Sequence, residues 1–67
     1  MKELLQKFLK DNQIFGFVER DRFMKCFYVT MKTEKRWITE YCWDRELADK
    51  DKFEEWKKIT LNRLKGQ

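Results

Sequence analysis

An α+β domain in the order α-β-β-β-α, a three-stranded antiparallel sheet packed with two helices, is predicted by three features of the sequence. Apolar residues recur at helical spacing near both ends of the chain. Between Gln13 and Trp43 the pattern changes to β-branched and aromatic residues with period two. The changes of period fall at polar clusters, Asp11-Asn12 on one side and Asp44 to Asp51 on the other.

The first element is a short amphipathic helix over residues 2–11. Leu4, Leu5, Phe8 and Leu9 form its apolar stripe, and Lys2, Lys7 and Lys10 fall off it. Asp11-Asn12 supplies the stop, because Asn tolerates the left-handed conformation that closes many helices. Three strands follow: Ile14–Glu19, Phe23–Met31 and Arg36–Trp43. Polar turns at Glu19–Arg22 and Lys32–Lys35 separate them, although neither carries the Asn-Gly or Asp-Gly pair that enforces a tight hairpin. A linker over 44–51 leads to the last helix, roughly Lys50 to Lys65. There Phe53, Trp56, Thr60 and Leu64 share a stripe, with Ile59 beside it and Leu61 off it. Asp49 or Asp51 caps its start, and Gly66 follows its end as a stop. Acids at the beginning and bases at the end suit the helix dipole.

Alternation divides the sheet into two faces. Pairing Val18 with Phe23, and Val29 with Ile38, puts Ile14, Gly16, Val18, Phe23, Phe27, Val29, Met31, Ile38 and Cys42 on one face. The other face receives Phe15, Phe17, Met24, Cys26, Tyr28, Trp37, Tyr41 and Trp43. The first reads as an ordinary core and the second as an aromatic platform. An antiparallel sheet with one wet face normally alternates apolar and polar residues, and this one does not. Three arrangements follow: a helix on each face, an exposed aromatic face that binds a partner, or an aromatic face buried in a homodimer.

Composition narrows the function classes. The 67 residues form one domain over 1–67, rich in large apolar side chains (six Phe, three Trp, two Tyr and three Met) and equally rich in charge. No apolar run approaches the ~20 residues of a membrane span or the ~7 of a signal peptide. A cytoplasmic address is therefore expected. Two cysteines in so small a chain agree with it, since small secreted domains are usually richer in cysteine. Histidine is absent, which removes the commonest general base and metal ligand and every triad built on it. Cys26 and Cys42 have no histidine or CxxC partner, so no structural zinc is expected. They fall on opposite faces, so no disulfide is expected either. Gly16 stands alone within a strand and marks a bulge or a close neighbour, not a phosphate loop.

The expectation is a non-enzymatic small basic binding or regulatory module that needs no cofactor, metal or small-molecule substrate. Sixteen basic against twelve acidic residues leave a net charge of +4, which suits an anionic partner. Basic side chains gather at the turns (Arg20 and Arg22; Lys32, Lys35 and Arg36) and at the end of the last helix. The candidate binding residues are Arg22, Tyr28, Lys32, Lys35, Arg36, Trp37 and Tyr41: cations steer a phosphate backbone while rings stack on bases. No RNP-type motif accompanies them. The alternative is a protein-binding accessory or inhibitor of the phage or mobile-element type, occluding a host or partner protein surface with the same anchors. That alternative rests on the small size of a chain beginning at Met1.

Overall fold

The computed structural model describes residues 1–66. It consists of α1 (Lys2–Asp11), β1 (Gly16–Arg20), β2 (Cys26–Lys32), β3 (Trp37–Trp43), α2 (Asp44–Ala48) and α3 (Lys50–Lys65). The strands form one antiparallel sheet in the order β1-β2-β3, so the expected α+β architecture is present. Among the described residues no helix is long and apolar enough to cross a membrane.

Leu5, Phe8 and Leu9 are the buried face of α1, while Leu4 stays exposed. The helix stops differently from the expectation. Asn12 keeps a negative φ of −102°, and its side-chain amide donates to the Phe8 carbonyl at 2.8 Å. The left-handed residue is Gln13, at φ 54°. Its N–H donates to the Lys10 carbonyl at 3.1 Å, and that of Ile14 donates to Leu9 at 2.9 Å. These bonds satisfy the open carbonyls of the last turn and aim the chain into the sheet.

At the first hairpin β2 begins three residues later than expected, at Cys26, while β1 runs one residue further, to Arg20. Residues 21–25 form a loop, leaving Phe23 94% exposed and Met24 outside the sheet. The reason is local. The Asp21 carboxylate accepts the backbone N–H groups of Phe23 and Met24 at 2.7 and 2.8 Å, and the Asp21 N–H closes the loop on the Cys26 carbonyl at 3.1 Å. An aspartate offering this turn outcompetes continued strand pairing. The register is Val18↔Val29 and Val29↔Glu40, in place of Val18 with Phe23 and Val29 with Ile38. Both shifts are by an even number of residues. Side-chain parity therefore survives, and every assigned residue that remains in a strand keeps its face.

The second turn runs through Thr33 to Arg36. The Thr33 hydroxyl accepts the N–H groups of Lys35 and Arg36 and donates to the Arg36 carbonyl, so one side chain replaces the missing glycine signal. At Gly16 the chain passes close to its neighbour. A Cβ there would stand 2.2 Å from the Thr30 carbonyl oxygen, so only glycine fits the ladder at that point.

Asp44–Ala48, expected as linker, is a helical turn begun by the Glu46 carboxylate, which accepts the Trp43 N–H at 2.9 Å. Asp49 caps α3 as predicted, accepting from Asp51 and Lys52. Gly66 ends the helix in a right-handed conformation, so its freedom at positive φ is not used. Phe53, Trp56 and Thr60 are buried and Leu64 half-buried. Leu61 also packs against the core, whereas Ile59 is exposed, the reverse of the expectation. At roughly 100° per residue the two lie at similar angles on either side of the stripe, so periodicity alone does not separate them.

One cluster joins Leu5, Phe8 and Leu9 of α1, Leu47 of α2, and Phe53 and Trp56 of α3 to Val18, Phe27, Val29, Met31 and Cys42 of the sheet. All the helices thus lie on one face. Trp56 is the hinge of this packing. Its ring meets Phe8 edge-on at 5.3 Å and stacks with Phe53 at 6.1 Å, and its Nε1–H donates to the Tyr41 carbonyl at 2.7 Å.

Candidate binding face

The opposite face of the sheet carries no helix. From the register, Phe17 and Glu19 of β1 share it with Tyr28, Thr30 and Lys32 of β2 and Trp37, Thr39, Tyr41 and Trp43 of β3. Phe15 joins them at the end of β1, its carbonyl accepting the Lys32 N–H at 2.8 Å. Of the three arrangements left open by the sequence, a helix on each face is not the one adopted. Phe15 is 76% exposed, Phe17 48%, Trp37 45% and Tyr41 55%. Rings this large normally seek cover, so four of them open on one surface set this face apart from the rest of the described surface.

The rings form two groups. Phe15 and Phe17 lean toward Trp37, with centroids 5.9 and 6.1 Å from it. Tyr28 and Tyr41 meet edge-on at 4.9 Å farther along the strands. Between the groups Thr30 and Thr39 share a hydroxyl hydrogen bond at 3.2 Å. Lys32 extends over the Trp37 ring, its Nζ 5.6 Å from the centroid. At the far end the Arg45 guanidinium covers Trp43 at 5.4 Å.

Electrostatics distinguish the two ends and the middle. Lys32, Lys35 and Arg36 gather at the β2–β3 turn, and Lys35 and Arg36 are exposed. Arg22 and Lys25 are exposed in the 21–25 loop at the other end. The acids on this side are Glu19 on β1, Glu34 in the turn and Asp21. The last is engaged: besides its two backbone bonds it accepts the Tyr28 hydroxyl. Those bonds hold the Asp21 carboxyl below its ordinary 3.8. The same contact, with partial burial, pushes the Tyr28 phenol up to about 12. Tyr28 is thereby fixed as a neutral, oriented ring against which Tyr41 rests.

The expected binding residues thus divide. Lys32, Trp37, Lys35 and Arg36 come together at one end, and Tyr28 with Tyr41 occupies the middle. Arg22 stands apart, at the opposite end of the sheet. Phe15 and Phe17 are the residues missing from the expected set. Period-two alternation had already assigned them to the aromatic face, but only the placement of the helices distinguishes them from core.

The cysteines lie on opposite sides of the sheet, both free and both buried. Burial raises the Cys26 thiol and pushes Cys42 up to about 12, so neither has the character of a reactive thiolate.

Comparison of the chain with protein families, with characterised proteins and with solved structures returns no match.

Proposed function

We propose that the chain is a non-enzymatic binding module whose open aromatic sheet face, flanked by the basic β2–β3 turn, engages nucleic acid. The observation that carries this reading is the placement of α1 and α3 on one face, which leaves Phe15, Phe17, Trp37 and Tyr41 exposed on the other. Rings supply stacking surface, and Lys32, Lys35 and Arg36 supply charge for phosphates beside them. The overall charge of +4 acts in the same direction by steering a polyanion toward the protein. The two free cysteines support a cytoplasmic setting.

Replacing Lys32, Lys35 and Arg36 together with Ala tests this reading. The fold should persist, because exposed turn substitutions usually change stability by ~0.5 kcal/mol or less. Affinity for a mixed-sequence oligonucleotide should fall. The slope of log affinity against log salt should flatten by about 2 if all three side chains neutralise phosphates on a single strand.

Phe15, Phe17 and Trp37 together make an apolar patch that would equally anchor a protein surface, and this favours the inhibitor or accessory role as the second reading. Retention of a protein partner after nuclease treatment, with no oligonucleotide binding at low salt, would establish it. A homodimer through this face would instead show as concentration-dependent sedimentation, abolished by Phe17→Ser.

A further inference from the structure

We infer that the face takes single-stranded rather than duplex nucleic acid, with unpaired bases on the two ring groups; this rests on the nucleic-acid reading above and refines its substrate. A duplex major groove admits one helix or a two-stranded ribbon. Here the exposed rings stand on both outer strands, Phe15 and Phe17 toward one edge and Trp37 and Tyr41 toward the other. With strands ~4.8 Å apart, the occupied surface is three strands wide before side chains are added.

Reading a groove requires donors and acceptors that reach base edges. On this face the polar groups between the rings are few. The Thr30 and Thr39 hydroxyls are turned to each other, and Lys32 lies over Trp37. What the surface offers is ring faces, and the matching faces of bases become available only when a strand is unpaired and unstacked.

Lys32, Lys35 and Arg36 lie at one end of the ring strip, and Arg22 and Lys25 at the other. Glu19 is the carboxylate on the strand surface itself, on β1 beside Tyr28. A phosphate backbone running along β2 and β3 meets cations at both ends and avoids Glu19. Trp37 and Tyr41 are four residues apart on β3, about 13 Å. That distance exceeds one base, so the two ring groups engage different bases of one strand.

The experiment compares a labelled single strand of about 12 nucleotides with its blunt duplex, by fluorescence anisotropy at low salt. The single strand should bind tighter by about tenfold or more. Phe17→Leu and Tyr41→Leu should each weaken single-strand binding by about tenfold, the scale of one lost base–ring stack, and leave duplex binding unchanged. Equal or tighter duplex binding, or ring variants that weaken both ligands alike, would overturn the single-strand inference and leave the nucleic-acid reading standing. Absence of binding to either ligand would remove both.

Discussion

Gly16 and the Asp21–Tyr28 pair show how single residues shape this sheet. At Gly16 a methyl group would enter the space of the Thr30 carbonyl oxygen, a backbone atom that cannot turn aside. Gly16→Ala is expected to destabilise by roughly 1–3 kcal/mol, the usual cost of overpacking. Thermal melting checks it, and an unchanged midpoint would show that β1 can move away from β2 freely. The Asp21–Tyr28 contact makes stability depend on pH at both extremes. Tyr28 keeps its proton in the folded state to about 12, above its ordinary 10.0. Its stabilising effect is therefore complete below about pH 10 and is lost as pH rises toward 12. Asp21 is depressed, so its contribution is present above about 3.8 and is lost as pH falls through the lower folded value. In Asp21→Asn the late component of the tyrosinate absorbance titration should move back toward the ordinary phenol range. A titration curve identical to the wild type would refute the contact.

Among the elements, α3 depends most on one anchor. Trp56 is buried, touches Phe8 of α1 and Phe53 of its own helix, and hydrogen-bonds the Tyr41 carbonyl of β3. Trp56→Ala should cost ~3–5 kcal/mol, enough to leave so small a domain largely unfolded at room temperature. Trp56→Phe keeps most of the packing and loses the hydrogen bond, so it should fold with a reduced melting temperature. Denaturant unfolding followed by circular dichroism distinguishes the two. A fully stable alanine variant would mean that α3 is held elsewhere. The Tyr41 carbonyl also links the core to the open aromatic face. The backbone atom that receives Trp56 belongs to the residue whose ring is open on the far side of the sheet. Ring truncation at Tyr41 leaves that backbone bond in place, which is why Tyr41→Leu is the suitable probe of binding.

At the scale of the whole molecule, the two faces of one sheet should respond oppositely to the same chemistry. Phe15→Ser with Phe17→Ser alters the uncovered face and should leave the melting temperature within a few degrees of the wild type. Val29→Ser places an unpaired hydroxyl in the fully buried centre under the helices, and should melt far lower or not fold at all. Paired thermal melts of the two variants measure the asymmetry directly. Equal loss in both would mean that the aromatic face is covered in solution, as in a homodimer.

Local pattern determined much of this molecule by itself. The helical stripes of residues 2–11 and 50–65 and the period-two run between them specify the elements, because each repeat corresponds to one backbone geometry. Parity in the strands separated the aliphatic from the aromatic face, and the separation withstood two errors of register because both were even. The extra helical turn at Asp44–Ala48 and the loop at 21–25 were less legible. They depend on side chains, Glu46 and Asp21, that bond backbone groups a few residues away and have no periodic signature. Whether the helices cover one face or both was not legible. Both faces of the sheet are apolar, so either could have satisfied an amphipathic helix. Covering one of them is a choice among long-range contacts, such as Leu5, Phe8 and Trp56 against Val18, Val29 and Met31. Only tertiary structure makes that choice. It turned Phe15, Phe17, Trp37 and Tyr41 from candidate core residues into a surface.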